Sequence, residues 1–242
     1  MPDSIARLID HALLHPTLTD EQLREGCQMA LGLELASVCI KPYAVPLAAK
    51  LLAGSPVAVC TVIGFPHGSV STDVKRFEAE WACRQGATEL DMVVNVGKVL
   101  SGDWDFVADD IRAVVDAAHQ NGALAKVIFE NEFLPGDEPK IELCRICSRV
   151  GADFVKTSTG FGFVKRAEGG MGAIGATEHD LKLMRAHADP KVGVKASGGV
   201  RTYQDALRVV ELGATRIGTS SSEAIVAGQG GASGGQQPAQ DY

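Results

Sequence analysis

Residues 122–156 read GALAKVIFENEFLPGDEPKIELCRICSRVGADFVK, and the succession of patterns within them indicates the fold. A short apolar segment at 124–130 is followed by an amphipathic helical pattern at 138–150 and by a second apolar segment at 154–156. A helix that separates two short strands and ends at a glycine, here Gly151, is typical of a parallel strand pair. This part of the chain therefore predicts a parallel sheet with helices outside it.

The same order of strand, helix and strand recurs along most of the chain. The predicted strands cover residues 8–13, 35–40, 57–63, 89–94, 124–130, 154–156, 192–195 and 215–217. Helical patterns open at Thr19 and cover residues 71–86, 103–119, 138–150, 177–187 and 202–212. A Gly-Ala pair joins helix to strand at four places, which begin at Gly86, Gly122, Gly151 and Gly213.

Eight strands at this spacing fit a closed (β/α)8 TIM barrel better than an open doubly wound sheet. We therefore predict a single α/β barrel domain at residues 1–227, with an N-terminal helix. Residues 228–242 are rich in Gly, Gln and Ser and have little to bury, so we predict a flexible tail there.

Composition limits the classes of partner and the compartment. Of the 242 residues 45% are hydrophobic, and the formal net charge is −7, so neither a nucleic acid nor a membrane is an expected partner. No apolar run reaches the ~18 residues that a membrane span needs, and the N-terminus has no signal-peptide pattern. The six cysteines, Cys144-x-x-Cys147 included, lie among apolar neighbours, so we interpret them as buried thiols in a reducing cytoplasm.

Two lysines stand at the predicted ends of short strands. Lys156 lies in Phe154-Val-Lys-Thr-Ser-Thr-Gly160 and Lys195 lies in Val192-Gly-Val-Lys-Ala-Ser-Gly-Gly199. Repulsion between two neighbouring ammonium groups lowers the pKa of an amine from ~10.4 toward ~7–8, which makes the amine a nucleophile near neutral pH. A single lysine at a strand end would more simply extend to solvent. The pair favours chemistry, although the pattern does not say which lysine is the nucleophile.

Three loops after the last predicted strands have the character of an anion site. They contain Thr157-Ser-Thr-Gly160, Ala196-Ser-Gly-Gly199 and Gly218-Thr-Ser-Ser-Ser222. Backbone N–H groups in Gly-rich turns and at a helix N-terminus bind phosphate, and phosphate often binds at these loops of a TIM barrel. We therefore expect a phosphorylated ligand, held by a local site against the negative net charge.

Other polar residues interrupt the apolar strands. Asp91 lies within an apolar run, and an amine nucleophile needs an acid–base partner, so we expect Asp91 to be catalytic. Lys126 and Glu130 are four apart in one predicted strand and so point the same way, either as functional groups or as an ion pair at the barrel mouth. Asp10 lies in the first strand. His11 and His15 lack a completing set of ligands, so no metal site is expected.

These segments resemble the deoxyribose-phosphate aldolase family, class I aldolases on a (β/α)8 barrel. The resemblance runs from Ile9-Asp-His-Ala-Leu-Leu14 to Arg216-Ile-Gly-Thr-Ser-Ser221. Its other segments are Ser37-Val-Cys-Ile-Lys-Pro42, Glu89-Leu-Asp-Met-Val, Lys126-Val-Ile-Phe-Glu130, Phe154-Val-Lys-Thr-Ser-Thr-Gly160 and Val194-Lys-Ala-Ser-Gly-Gly-Val-Arg-Thr202.

The resemblance implies reversible cleavage of 2-deoxy-D-ribose 5-phosphate to acetaldehyde and D-glyceraldehyde 3-phosphate, without a metal or an organic cofactor. It implies that Lys156 forms the Schiff base, that Lys195 is the second cation, that Asp91 relays protons through a water and that Asp10 orients the polar network. The residues it implies for the phosphate are Gly160, Gly198, Gly199, Ser220 and Ser221. A homo-oligomer is expected, because the exposed helices of such barrels commonly pair.

The sequence departs from the family pattern at three places. Ala12 replaces a common Thr, Phe161 stands where some members have a Lys, and the loop at 161–176 is longer than usual. Lys165 or Arg166 is a candidate for the missing cation. Two further candidates remain: Tyr242 on the tail as a proton donor, and Cys39 as a site of aldehyde inactivation.

Two other functions stay open at this point. One is a different Schiff-base aldolase or transaldolase of phosphorylated sugars. The other is a catalytically silent barrel that binds phosphometabolites, which the combination of two lysines with Asp91 disfavours.

Overall fold

The structure is a computed structural model, and it describes residues 4–165 and 169–230. Eight parallel strands form a closed barrel, and the predicted TIM barrel is therefore confirmed. The barrel strands are β1 (Ile9–Leu13), β2 (Ser37–Ile40), β3 (Ala58–Ile63), β4 (Glu89–Val93), β5 (Leu124–Ile128), β6 (Phe154–Lys156), β9 (Gly193–Ser197) and β10 (Arg216–Thr219). Two shorter strands, β7 (Val164–Lys165) and β8 (Met171–Gly172), form an antiparallel hairpin between β6 and β9.

Helices surround the barrel. They are α1 (Asp20–Gly32), α2 (Val45–Leu51), α3 (Thr72–Arg84), α4 (Val96–Leu100), α5 (Trp104–Gln120), α6 (Glu138–Val150), α7 (Glu178–His187), α8 (Tyr203–Glu211) and α9 (Ser222–Gln229). Single 3-10 turns lie at Ile5–Leu8, Pro42–Ala44 and Asn131–Phe133. Each helical pattern in the sequence corresponds to one of these helices.

The helix ends follow from local sequence. Thr19 and Gln22 form a capping box at the start of α1, in which each side chain accepts the backbone N–H of the other. Helix α6 ends at Gly151, whose φ of +81° is easily reached only without a Cβ atom. The other three Gly-Ala pairs also begin with a glycine of positive φ, so the repeated junction is a repeated helix stop.

Some elements differ from the expectation. The predicted N-terminal helix is a single 3-10 turn, which includes Leu8, and the first strand therefore begins at Ile9. Helix α2 has an almost entirely apolar sequence with Pro46 in its first turn, so it carries no amphipathic period to detect. Helix α9 extends to Gln229, past the predicted start of the tail at residue 228. Residues 231–242, Tyr242 among them, lie outside the described residues.

The barrel wall separates an apolar layer from a polar interior. In β4, Leu90 and Met92 pack in the hydrophobic core between sheet and helices. Glu89 and Asp91 alternate with them and point into the barrel, because successive strand residues face opposite ways. The interior therefore holds ion pairs where many barrels hold branched apolar side chains. None of the helices in residues 4–165 and 169–230 combines the length and the apolar character that a membrane span requires.

Candidate active site

The structure brings Lys156 and Lys195 together inside the barrel. The two residues are paired in register on the neighbouring strands β6 and β9. Each ammonium nitrogen lies 2.7 Å from the same atom, Asp91 Oδ2. The two nitrogens are therefore separated by no more than twice that distance. The whole-residue exposures are only 2% for Lys156 and 1% for Lys195, so bulk water screens their interaction weakly.

Lys195 is held between two carboxylates. Its Nζ donates to Asp10 Oδ2 at 2.5 Å as well as to Asp91. Burial by itself would lower the pKa of Lys195, but the Asp10 and Asp91 carboxylates outweigh burial and raise that pKa above its usual value. Lys195 therefore remains an ammonium at neutral pH, so it is not the amine whose pKa the repulsion was predicted to lower.

Asp91 is the centre of the polar interior. It is fully buried, and burial alone would raise its pKa; the ammonium groups of Lys126, Lys156 and Lys195 instead hold the pKa of Asp91 well below its usual range. Lys126 donates to the second oxygen, Asp91 Oδ1, at 2.8 Å. Asp91 is thus a carboxylate with a donor on each oxygen, a group that orients amines and stabilises positive charge.

Lys126 and Glu130 do not form the ion pair that was one of the two alternatives for them. Lys126 Nζ lies 2.6 Å from Glu89 Oε2 and 2.8 Å from Asp91 Oδ1, in the barrel interior. Strand β5 ends at Ile128, and Glu130 adopts a left-handed conformation with φ +56°. The alternation of side chains is lost at that turn, so the Glu130 carboxyl lies instead against Thr159.

Two charged groups of the network were not predicted as site residues. Arg216 Nη1 lies 2.6 Å from Asp10 Oδ1 and 3.0 Å from Glu89 Oε2. Ser37 Oγ also donates to Asp10 Oδ1, at 2.7 Å. Arg216 and Glu89 are the first residues of β10 and β4, where the sequence resembles an ordinary solvated strand start. The sequence signal that could have found them is the register of the strands. Charged residues at the first positions of several barrel strands point into the same layer of the interior.

The interior network contains more basic groups than carboxylates. Its basic members are Lys126, Lys156, Lys195 and Arg216, and its carboxylates are Asp10, Glu89 and Asp91. Four cations would leave one buried positive charge uncompensated, which is costly in a low-dielectric interior. One neutral amine in this set gives an even balance.

The three loops with phosphate-binding character lie side by side, because β6, β9 and β10 are neighbours in the barrel. Thr157 Oγ1 donates to Ser197 O and accepts from Ser197 N, both at 3.0 Å, and so joins the first two loops. Thr219 Oγ1 donates to Val200 O at 2.7 Å and joins the last two. Ser221 is the N-cap residue of α9, and Ser220 is exposed beside it.

Glycines shape these loops. Gly160, Gly198 and Gly199 all have φ between +80° and +87°. The left-handed backbone that glycine allows is the conformation in which successive N–H groups can converge on an anion. The sequence-predicted phosphate residues therefore lie at one end of the barrel, next to Lys156 and Lys195.

The remaining candidates are placed as follows. Cys39 is buried beside Cys60, whose hydrogen bond lowers the pKa of the Cys39 thiol. Lys165 is exposed on the β7–β8 hairpin, and residue 166 lies outside the described ranges. The ring of Phe161 packs edge-on against Phe65, with 5.3 Å between centroids, so an aromatic contact occupies that position.

Cys39, Cys60 and Asp91 form a group with metal-ligand atoms close together. Two of these groups already have an ammonium partner: Lys126 Nζ lies 3.3 Å from Cys60 Sγ and 2.8 Å from Asp91 Oδ1. A divalent cation there would face a buried ammonium, so the surroundings do not fit a metal site.

Comparisons with known proteins agree with this geometry. A family model described as DeoC/LacD family aldolase matches residues 4–235. A deoxyribose-phosphate aldolase of Clostridium perfringens (strain 13 / Type A) is 49% identical over 225 residues, 93% of this chain and 95% of that protein. One of Bacillus mycoides (strain KBAB4) is 51% identical over 223 residues, 92% and 95% of the two chains.

A solved structure, the tetrameric deoxyribose phosphate aldolase of Aeropyrum pernix, has a TM-score of 0.82 to this chain at 33% identity. The match covers 93% of this chain and 91% of that one. The fold, the buried lysine pair and the family match over almost the whole chain lead to one conclusion: the chain belongs to the DeoC/LacD family of aldolases.

Proposed function

We propose that this aldolase reversibly cleaves 2-deoxy-D-ribose 5-phosphate to acetaldehyde and D-glyceraldehyde 3-phosphate through a Schiff base on Lys156. The observation that carries the proposal is the contact of Lys156 and Lys195 with one oxygen of Asp91 in a closed interior. The names of the Clostridium and Bacillus relatives support the choice of substrate.

The surroundings of the two lysines differ in a way that favours Lys156 as the nucleophile. Lys195 contacts two carboxylates, and they raise its pKa, so its amine is held as a cation. Lys156 has one carboxylate partner, Asp91, and it shares that partner with two other ammonium groups. The mechanism requires a neutral amine at this position, because only a neutral amine has the lone pair that attacks a carbonyl.

The reaction requires movement of one proton from oxygen to carbon. Lys156 Nζ adds to C1 of the open-chain sugar, and the hydroxyl formed at C1 takes up a proton from the solvent and leaves as water. The product is a protonated imine that draws electrons from the chain. The C2–C3 bond then breaks while the C3 hydroxyl loses its proton through a water to Asp91, and the electron pair forms an enamine. Protonation of that enamine at C2 and hydrolysis release acetaldehyde and restore the amine.

Asp91 acts in this scheme as a relay. Its pKa is held well below the usual range, so it accepts a proton only transiently and passes it on through water. Asp10 keeps Lys195 in place and charged by its short contact with Lys195 Nζ. The protonated imine supplies the electron sink, so the proposed reaction uses no cofactor.

The phosphate is proposed to bind the loops that carry Gly160, Gly198, Gly199, Ser220 and Ser221. Binding energy at that remote end positions C1 near Lys156. The net charge of −7 opposes a phosphate ester, so these local N–H groups have to supply the attraction.

A cleavage assay tests the proposal. The protein should release glyceraldehyde 3-phosphate from deoxyribose 5-phosphate, and fructose 1-phosphate and fructose 1,6-bisphosphate should be cleaved far more slowly. Faster cleavage of a fructose phosphate would assign another Schiff-base aldolase activity. Binding of these phosphates without cleavage of any would assign the catalytically silent barrel instead.

We also propose a homo-oligomeric assembly and a cytoplasmic location. The Aeropyrum pernix relative is described as a tetramer, which supports a homo-oligomer here, and light scattering after gel filtration measures it. All six cysteines are unpaired, and burial raises the pKa of Cys144 to about 12. Unpaired thiols of this kind suit the proposed reducing cytoplasm.

A further inference from the structure

Two cysteines that the proposed mechanism does not use, Cys39 and Cys60, lie beside Asp91 inside the barrel. The two Sγ atoms and an oxygen of the Asp91 carboxylate all lie within 4.8 Å of one another. Both cysteines are free thiols, and their exposures are 2% for Cys39 and 0% for Cys60. They are therefore a pair of neighbouring thiols in the polar interior.

The backbone holds the two cysteines at a separation that a disulfide allows. Cys39 and Cys60 are paired in register on the neighbouring parallel strands β2 and β3. Neighbouring strands lie ~4.8 Å apart, and disulfides join residues whose Cα atoms are roughly 4.4–6.8 Å apart. Cys60 is also in register with Glu89, which faces the interior, so both thiols point into the barrel. A bond between the sulfurs therefore requires the side chains to rotate and the strands to shift only slightly.

The two thiols differ in how easily they ionise. The hydrogen bond with Cys60 lowers the pKa of Cys39 against the effect of burial, and the ammonium groups of two lysines, Lys195 and Lys156, lower it further. Burial instead raises the pKa of Cys60 well above its usual value. Because the thiolate is the form that attacks an oxidant, Cys39 is the cysteine that reacts first and Cys60 is the second thiol.

Oxidation of Cys60 would change the surroundings of Asp91. Cys60 Sγ lies 3.2 Å from Asp91 Oδ1 and 3.3 Å from Lys126 Nζ. The other oxygen, Asp91 Oδ2, contacts the ammonium groups of Lys156 and Lys195, each at 2.7 Å. A disulfide has no S–H proton and draws the Cys60 sulfur towards its partner, so the carboxylate that orients both lysines loses its thiol donor.

The barrel mouth gives a small oxidant a route to the pair. The two cysteines and Val62 form an apolar cluster separate from the main core, and Leu14 and Phe65 pack against it. Leu14 follows β1 and Phe65 follows β3, at the loop end of the barrel, and both are only partly buried. Hydrogen peroxide is uncharged and little larger than water. It therefore fits the opening through which the proposed sugar substrate reaches Lys156.

We propose that Cys39 and Cys60 are a site of reversible oxidative modification, at which a peroxide converts the two thiols into a disulfide that disturbs Asp91 and slows turnover. The effect on turnover rests on the proposed function, whereas formation of the disulfide does not.

The proposed reaction has two steps. The Cys39 sulfur attacks one oxygen of the peroxide, the O–O bond breaks, and a sulfenic acid forms with release of water. The Cys60 sulfur then attacks the Cys39 sulfur and displaces its hydroxyl group, which takes the second thiol proton and leaves as water. Two thiols thus lose two electrons, and the peroxide gains them and becomes two molecules of water. Thiol reductants reverse the modification by exchange.

The chain contains a matched control pair, Cys144 and Cys147. Both are buried on α6, three residues apart, and pack in the main core between the helices and the sheet. Burial raises the pKa of Cys144 to about 12 and that of Cys147 well above its usual value. The control pair should therefore stay reduced under conditions that oxidise Cys39.

Mass spectrometry of the full-length protein tests the site without turnover. Wild type is treated with hydrogen peroxide, its remaining thiols are alkylated during unfolding, and tryptic peptides are compared with and without dithiothreitol. We expect a dithiothreitol-sensitive bridge between the peptides of residues 25–50 and 51–75, and none in the control pair. The first peptide also contains Cys27, so fragment ions have to assign the bridge to Cys39. Absence of a bridge between Cys39 and Cys60, or an equal yield in the control pair, overturns the proposal.

Two substitutions test the order of the steps. In Cys60→Ala the sulfenic acid has no second thiol to react with, so dimedone, which traps sulfenic acids, should label Cys39. In Cys39→Ala neither a bridge nor a dimedone label should form. A dimedone label on Cys60 in the second variant, at the yield found on Cys39 in the first, overturns the assigned order.

Turnover of deoxyribose 5-phosphate is the second readout, with each protein compared with its own untreated rate. Peroxide should lower the wild-type rate about a hundredfold, the effect of a displaced catalytic group, and dithiothreitol should restore it. Cys39→Ala should keep most of its own rate, whereas the control variant Cys144→Ala should be inactivated as wild type is. A bridge that forms without loss of rate overturns the effect on Asp91. A wild-type protein that forms the bridge but never cleaves the sugar rejects the proposed function and leaves the modification site supported.

Discussion

At the scale of single residues, the decisive contrast is between two lysines with the same register and different partners. Lys195 has two carboxylates and Lys156 has one, which it shares. In the proposed mechanism, the second buried lysine is a fixed positive charge beside the nucleophile, and the two acids that hold it are as important as the amine itself.

Removal of the Lys195 charge should impair the reaction at Lys156. In Lys195→Met, Lys156 loses its cationic neighbour, and Asp91 loses one of its three lysine partners. We expect kcat/KM for deoxyribose 5-phosphate to fall by about a hundredfold or more at pH 7. Steady-state kinetics of cleavage measure the loss.

The matched control for this substitution is Lys75→Met. Lys75 is a buried ammonium whose Nζ lies 2.5 Å from Asp110 Oδ2, and this pair joins α3 to α5 away from the site. Its removal should destabilise the fold by roughly 3–5 kcal/mol and leave kcat nearly unchanged. A similar loss of kcat in both variants would show that Lys195 acts only through stability.

At the scale of elements, the loops that follow β6, β9 and β10 depend on close backbone contact. Gly175 has φ +78° and lies against the Gly198 carbonyl. Gly122 has a similar φ of +71° but nothing within 4 Å of a Cβ position. An Ala substitution would therefore strain the backbone at both positions, but only at Gly175 would the new Cβ atom meet a neighbouring loop.

We expect Gly175→Ala to raise KM for deoxyribose 5-phosphate several-fold more than Gly122→Ala, because only the first substitution pushes on the proposed phosphate loop. Both should lose on the order of 1 kcal/mol of stability from the positive φ. Steady-state kinetics and chemical denaturation of both variants measure the difference. Equal KM values for the two variants would remove Gly175 from the phosphate site.

The elements also show which features sequence can predict. Four of the eight strands, β4, β5, β6 and β10, directly follow Gly-Ala junctions, and a repeated helix stop is a local signal that sequence shows. Glu130 could not be assigned, since its partner depends on where β5 ends, and that end is two residues earlier than the apolar run. Arg216 and Glu89 become neighbours only when the barrel closes, so no local pattern shows their contact with Asp10 and Lys126.

At the scale of the whole molecule, buried titratable groups outside the lysine network control the pH dependence of stability. Burial lowers the pKa of His11 to about 4 from an ordinary 6.5, whereas the pKa of Glu130 is raised to about 7 from 4.5. The folded state disfavours protonation of His11. The stability that this histidine contributes is therefore fully present above pH 6.5 and is lost as pH falls toward 4. The folded state keeps the Glu130 proton, so that contribution is complete below pH 4.5 and is lost as pH rises through 7.

The two contributions to the free energy of unfolding change in opposite directions with pH, each by on the order of 3 kcal/mol over its full range. Wild-type stability should therefore change little between pH 5 and 6.5. His11→Asn should become less stable as pH rises through this interval, and Glu130→Gln should become more stable. Urea unfolding at several pH values measures the slopes. If the free energy of unfolding changed with pH in the same way for wild type and both variants, neither group would titrate as its burial indicates.

The proposed mechanism depends on the identity of the amine that forms the covalent bond. Incubation with acetaldehyde and borohydride, followed by digestion and mass spectrometry, identifies that amine directly. We predict an N-ethyl group on Lys156, none on Lys195, and no label at all in Lys156→Arg, because a guanidinium cannot form the imine. A label on Lys195, or an active enzyme that borohydride with acetaldehyde leaves unmodified, would contradict the mechanism.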